Sequence, residues 1–419
     1  MKDSRQAGFH LVAVILVILV VGVIGFAGYK VIGSQDSTKK GSPDGQYGNQ
    51  QQGQQQDFAS QYKDACKDRD VTFSSGPMPA NQLGFIEPLG KVNDGHVTPT
   101  DHVYVNPTKR DVADNTYDAI MPADGTIVEI AAMPSQYIGD KDQQTASEDH
   151  RLVISHSCRY FSIYIHVHKL DPALAQLVSG LQPNQSKRVN LDLKAGDKVG
   201  KVGGNGFDWT SVDISKRLSG FITPANYSGE AWKIHTVSPF DMYTGTLKSQ
   251  LEAKSLRAVA PLGGKIDWDQ PGKLIGNWFR EGSGDYRGDS SNREGRYWDG
   301  HLSIAPDYID GKTTVFSIGN WDGKAKQLAV RGGADPAKIA TGDGPVKLEL
   351  TSLSYQMPDG SPWSGGAPAK GMKVSTSGET AGTVLVEVQQ GEKLRVEKFI
   401  GKTANQVDGF TSAAQIYQR

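Results

Sequence analysis

The side chains best suited to chemistry in this chain are four imidazoles and a carboxylate gathered in two short stretches. The first stretch holds His96, Asp101 and His102; the second ends a run from Tyr160 to His168 and holds His166 and His168. Imidazole nitrogen and carboxylate oxygen are donors for zinc-class ions, and a neutral imidazole also moves protons near neutral pH. Other chemistries find no footing. No Gly-x-Ser-x-Gly elbow, P-loop or dinucleotide fingerprint occurs, and no acidic pair stands out for glycoside chemistry. The two cysteines, Cys66 and Cys158, have no CxxC or Cys/His zinc spacing. They are either one disulfide in an oxidising compartment or two unrelated buried thiols.

These residues need a scaffold, and the scaffold reads as mainly β. Forty-nine glycines favour many turns and short strands. In the run Tyr160–His168, Phe161, Ile163, Ile165 and Val167 alternate with Tyr164, His166 and His168. Strict alternation puts the first set on a core face and the second on a face that looks into a cleft or solvent. Tyr117–Val128 and Leu193–Val202 each read as two short strands around an Asp-Gly or Gly-Asp turn, that is, as hairpins. Residues 58–256 are therefore expected to form a hairpin-rich β domain, closed by a short helix at Thr246–Lys254.

Residues 257–419 read as a second all-β barrel or sandwich. Its strand candidates are Leu274–Phe279, His301–Ile304, Thr314–Ile318, Val346–Leu350, Thr383–Val388 and Lys393–Val396. Gly276-Asn277-Trp278 is similar to the Gly-x-Trp that opens lipocalin strands, over three residues only. Trp278, Trp298 and Trp321 fit core packing better than a ligand surface.

Ahead of these domains lies a membrane anchor, residues 1–32. Leu11–Tyr29 is an uncharged apolar run, long enough at about 28 Å to cross a bilayer core as a helix. It is too long for a cleaved signal peptide, and its exit fits cleavage poorly. Gly8-Phe9-His10 resembles a type IV pilin leader, but Ala13 stands where a pilin has glutamate, so a plain single-pass anchor is expected. Residues 33–57 are rich in Gly and Gln and too polar to fold; as a flexible tether they reach roughly 25–30 Å. Lysines flank the anchor on both sides, so charge does not orient it. With 45 basic and 46 acidic residues, no basic field points to nucleic acid.

The order of several features resembles the lysostaphin-type zinc endopeptidases of bacterial cell walls. These features are His96, Asp101 and His102; Pro122-Ala123-Asp124-Gly125; Tyr164-Ile165-His166; Ala195–Gly204; and Gly220–Tyr227. They cover about 150 of the 419 residues. The resemblance implies a barrel-sandwich hybrid (a duplicated hybrid motif) and a zinc ion that activates water against a peptide bond. It implies metal ligands at His96 and Asp101, the latter one place late for a His-x-x-x-Asp motif, with His102 as a substitute, and a catalytic imidazole at His166. A His-x-His strand should supply the last ligand and a second assisting imidazole. Phe207-Asp208-Trp209 stands there instead, which leaves His235 as the fallback ligand.

The expectation is therefore an inactive, membrane-anchored extracytoplasmic envelope protein, murein endopeptidase-like, with no cofactor. Its cleft, lined by Tyr104, Tyr164, His166, His168 and Trp209, would bind peptidoglycan, or the domain would regulate a wall enzyme. The alternatives are an active zinc metalloendopeptidase cutting peptidoglycan cross-bridges and a structural interaction module of the envelope.

Overall fold

The computed structural model describes residues 58–133, 148–288 and 296–419. The expected anchor and tether, residues 1–32 and 33–57, lie outside the described residues. Among those described, no helix is long and apolar enough to cross a membrane.

The chain is mainly β. Its strands are β1 (Leu83–Glu87), β2 (Val103–Pro107), β3 (Tyr117–Ile120), β4 (Gly125–Ala132), β5 (His150–Ser155), β6 (Tyr160–Val167), β7 (Lys169–Leu170), β8 (Gln185–Leu193), β9 (Lys198–Val202), β10 (Phe207–Asp213) and β11 (Thr236–Val237). The larger sheet runs β1-β2-β10-β6-β5-β4-β8, with β11 paired to β10; the smaller runs β3-β9-β7.

The two expected hairpins do not form. Each Asp-Gly or Gly-Asp corner carries the chain from one sheet to the other. Thus β3 pairs with β9 and β4 with β8, so the two corner segments zip onto each other. Asp124 locks the corners together: its carboxylate accepts from Ala195 N at 3.0 Å and from Lys194 Nζ at 2.7 Å. A satisfied carboxylate at one tip thus fixes the second tip, an interaction that local turn chemistry does not encode.

Both faces of the larger sheet are buried. One carries Val103, Val105, Leu152, Ile154, Tyr164, Phe207 and Trp209, in one core with Tyr117, Ala119, Val199 and Val202 of the smaller sheet. The other carries Val128, Val153, Phe161, Ile163 and Val212, covered by Phe58 and Tyr62 from the short 3-10 turn Phe58–Tyr62. The helix Gly245–Lys254 forms as expected and packs through Leu251.

The C-terminal part is a closed barrel rather than a sandwich. Its strands are β12 (Gly276–Arg280), β13 (His301–Pro306), β14 (Thr314–Ile318), β15 (Lys326–Val330) and β16 (Val346–Ser352), then β19 (Thr380–Gln389), β20 (Lys393–Ile400) and β21 (Gln415–Gln418). A hairpin of β17 (Ser354–Gln356) and β18 (Lys373–Ser375) interrupts them. All six strand candidates are realised, and β15 and β21 are added. Trp278, Leu302, Ile304, Phe316, Trp321, Leu350, Val384 and Val386 fill the interior with side chains. Trp278 opens the first barrel strand and packs under the Arg419 guanidinium, 3.9 Å from its ring centre. Trp298 lies outside this core, against Gly95 of the first part.

Cys66 and Cys158 form a disulfide across 92 residues, with Cα atoms 4.9 Å apart. It ties the covering N-terminal segment to the β5–β6 turn. Closing so long a loop is worth about 4–5 kcal/mol on the chain-entropy model. Cys66→Ala/Cys158→Ala should therefore lower unfolding stability by about 2–5 kcal/mol in denaturant titration. An unchanged midpoint would show that the bridge does not constrain the chain.

Candidate functional site

The site lies where β2, β10 and β6 run side by side, on the face opposite Tyr164 and Trp209. Asp208 in β10 pairs with Tyr104 in β2 and with Ile165 in β6, so its carboxylate stands between those strands. His102 comes from the residue just before β2. His166 arrives by a different route. Its φ is +72°, a left-handed conformation rare for a residue with a side chain. The β5–β6 register shifts at this point: His150 opposes Val167, and Arg151 opposes Ile165. His166 is thus the extra residue of a β-bulge, the device that re-aims a side chain.

The bulge inverts the expected alternation. Phe161 and Ile163 keep to the smaller core, but Val167 joins Tyr164 in the main core. His166 is turned away from Tyr164 and onto Asp208.

The resulting cluster is a chain of carboxylates and imidazoles. Asp149 Oδ2 accepts from His166 Nδ1 at 3.0 Å. His166 Nε2 lies 3.6 Å from Asp208 Oδ2, and His102 Nε2 lies 3.5 Å from the same oxygen. His102 Nδ1 donates to Asp101 Oδ1 at 3.1 Å. Asp101 Oδ2 accepts from Trp232 Nε1 at 2.6 Å, and Lys233 Nζ stands 4.0 Å from Oδ1. The His96 ring meets the His102 ring edge-on at 5.6 Å, and Tyr104 meets it at 4.9 Å. Two polar atoms in this buried set have no hydrogen-bond partner: His102 Nε2 and Asp149 Oδ1.

Burial and charge tune these groups in opposite directions. Burial pushes the Asp101 carboxyl up, but Lys233, His102 and Trp232 together hold it well below the ordinary carboxylate range. Burial lowers His166, yet Asp149, with help from Asp208, carries it up to about 9. His102 is likewise raised despite burial, by Asp208 and Asp101. For His96, burial, then His102 and Lys233, outweigh the opposing pull of Asp101 and take it down to about 3.

The barrel closes over this corner. Lys233, itself 1 % exposed, donates to Tyr286 Oη at 3.3 Å, and Tyr286 donates to Glu230 at 2.8 Å. Asp94 N and O both bond the Gln327 side chain, at 3.1 and 3.2 Å. Gly95 lies so close to Trp298 that a Cβ there would stand 3.0 Å from the ring. A side chain at position 95 would press on the Trp298 ring.

The expected site residues are only partly brought together. His96, Asp101, His102, Tyr104 and His166 converge. Tyr164 and Trp209 do not line a cleft: both are fully buried in the main core. There Tyr164 Oη donates to Ile120 O and Trp209 Nε1 to Ser162 Oγ. His168 faces away and bonds Asp114 at 2.5 Å. His235 bonds Lys216 O at 2.6 Å and takes no part in the cluster. Phe207 and Trp209 do stand on the strand expected to be His-x-His, but they point into the core. The side chain that faces His166 is Asp208, between them. Asp208, Asp149, Trp232 and Lys233 were not singled out from sequence. The alternation Phe207-Asp208-Trp209-Thr210 could have found Asp208, as the polar partner of two core aromatics; nothing local marks Asp149.

No family model, curated protein or solved structure matches the chain.

At the opposite end of the β5–β6 pair from the site, His156 shows how burial governs the histidines. It is fully buried at the β5–β6 turn, bonded to Asp124 O at 3.1 Å and Ser162 Oγ at 2.9 Å. Burial takes it down to about 4, and His301 in the barrel down to about 3. Both ring systems are neutral when folded and take a proton first when unfolded. Their stabilising contribution is complete above the unfolded value near 6.5 and is lost as pH falls from there towards 4. Unfolding free energy measured from pH 7.5 to 4 should fall by roughly 2–3 kcal/mol per such histidine. His156→Gln should flatten that slope; a slope identical to that of the unaltered protein would refute a neutral, buried His156.

Proposed function

We propose that this chain is a membrane-anchored, extracytoplasmic envelope protein whose first β part is built like a wall endopeptidase but does not hydrolyse its ligand. In this reading it holds peptidoglycan peptides or regulates a wall enzyme. The observation that carries the reading is the side chain facing His166 from β10. The peptidase chemistry needs an imidazole ligand and an assisting imidazole on that strand, and here a carboxylate, Asp208, takes the inward place. Neither His168 nor His235 replaces them: both are bound elsewhere. The clasp of Asp94 by Gln327 and of Gly95 by Trp298 also favours holding over turnover, because it fixes the loop next to His96.

The compartment is argued from the Cys66–Cys158 disulfide, which suits an oxidising environment, and from the apolar run Leu11–Tyr29. The two sheets joined by locked corners are consistent with the hybrid-motif architecture that the resemblance implies.

The test uses the full-length protein in detergent and purified peptidoglycan. Co-sedimentation should show saturable binding, while no new free amino groups appear. Release of amino groups by the unaltered protein, abolished in His166→Ala, would instead establish an active endopeptidase. Absence of binding would leave the structural-module reading in its place.

A further inference from the structure

We infer that the loop of residues 91–100 is a lid over the His102, His166 and Asp208 cluster, and that Gln327 and Trp298 of the barrel are the latch that holds it shut. The lid rests on geometry alone. That its opening admits a wall peptide rests on the function proposed above.

The loop is closed at its base by two backbone bonds, Gly90 N to Thr100 O at 2.9 Å and Thr100 N to Lys91 O at 3.0 Å. At its tip Asn93 and His96 exchange both backbone bonds, at 3.1 and 2.8 Å, around Asp94 and Gly95. Asp94 takes φ +45° in this turn. Two side chains of the small hairpin lie over the cluster. The His96 ring stands edge-on to His102 at 5.6 Å, and Lys91 Nζ lies 4.5 Å from the centre of the Tyr104 ring. Beneath them His102 is 7 % exposed, whereas a quarter of the His166 side chain is open. The cluster is therefore accessible from its His166 side and shut on its His102 side.

Little beneath the loop keeps it closed. Residues 92–99 make no backbone–backbone hydrogen bond to any other described part of the chain. Val92 and Val97 are buried, yet neither belongs to any of the four apolar clusters that form the cores. Asn93 Oδ1 and His102 Nε2 are buried without a hydrogen-bond partner, and an unmatched buried polar atom is costly. Few apolar contacts and few backbone bonds mark a segment that opens locally.

What holds the tip is the barrel. Gln327 Oε1 accepts from Asp94 N at 3.1 Å, and its Nε2 donates to Asp94 O at 3.2 Å. A bond to Ser317 Oγ at 3.2 Å fixes the Gln327 amide in turn. An amide that answers both backbone groups of one turn residue recognises the shape of the turn. The Trp298 ring closes against Gly95, the residue without a side chain. Gln327 stands 233 residues beyond Asp94, so access to a cluster in the first part is set by a contact from the second. Lids of this kind sequester a site until a local motion releases them.

The experiment follows the full-length protein in detergent by hydrogen exchange and by diethyl pyrocarbonate modification of histidines, both read by peptide mass spectrometry at pH 7.5. The Asp94 amide, which donates to Gln327, reports the latch. His96, neutral at this pH, reacts at a rate set by access. His156, sealed at the far end of the β5–β6 pair, reports whether the domain stays folded. Gln327→Ala should speed Asp94 exchange and His96 modification about tenfold, the scale of two lost hydrogen bonds, with β2 exchange and His156 unchanged. Gly95→Ala, which presses on the Trp298 ring from the lid side, should act in the same direction. Lys326→Ala, beside Gln327 in β15, should leave both rates as they are. Gln327→Ala should also co-sediment with purified peptidoglycan at lower concentration than the unaltered protein. Faster exchange and modification without tighter co-sedimentation would keep the lid and remove the wall-binding reading. Unchanged rates in Gln327→Ala would overturn the lid. So would an acceleration that spreads to β2 and His156, which marks loosening of the whole domain.

Discussion

The left-handed turn of the backbone at His166 is the constraint on which the site depends. A regular strand would carry His166 into the main core beside Tyr164, where an imidazole flanked by two carboxylates has no place. One extra residue shifts the register against β5 and sends His166 to the other face of the sheet. A non-glycine residue held at positive φ costs of order 1–3 kcal/mol and persists only where its surroundings over-determine it. Here those surroundings are named. Val167 is anchored in the main core, Asp149 holds the ring from one side and Asp208 faces it from the other.

Around that bulge the fold solves a charge problem. Asp101, Asp149 and Asp208 are all buried or nearly so, and burying carboxylates without partners is prohibitive. Each is answered by an imidazole, and Asp101 also by the Trp232 indole and the internal Lys233. The cost of so much buried charge makes it poor evidence for stability in itself. It reads better as a site retained for binding. The barrel takes part: Tyr286 satisfies Lys233 and Trp298 lies against Gly95, so the cluster is completed by residues far along the chain.

Much of this was legible in the sequence because it follows local rules. The β class, the six barrel strands and the helix at Thr246–Lys254 come from alternation and turn residues. The convergence of His96, Asp101, His102, Tyr104 and His166 came from the order of motifs. What escaped was non-local. The corners at Asp124 and Asp197 look like hairpin turns, and only the pairing of β4 with β8 and β3 with β9 makes them crossings between sheets. The face of Tyr164 was misjudged because alternation was carried through His166 without a bulge, and that of Trp209 because it was given the place of a His-x-His imidazole, whereas Asp208 takes the inward position. A period of two has no memory of an inserted residue, so every side chain past that point is assigned to the wrong face.

The central claim is that His166 and Asp208 interact directly across β6 and β10. A double-mutant cycle in metal-free buffer measures this, comparing the unfolding free energies of His166→Ala, Asp208→Ala and the double variant. The account predicts a coupling energy above about 0.5 kcal/mol, because each group faces the other in a buried place. Additivity within about 0.3 kcal/mol would contradict it, placing His166 on the face with Tyr164 that unbroken alternation assigns.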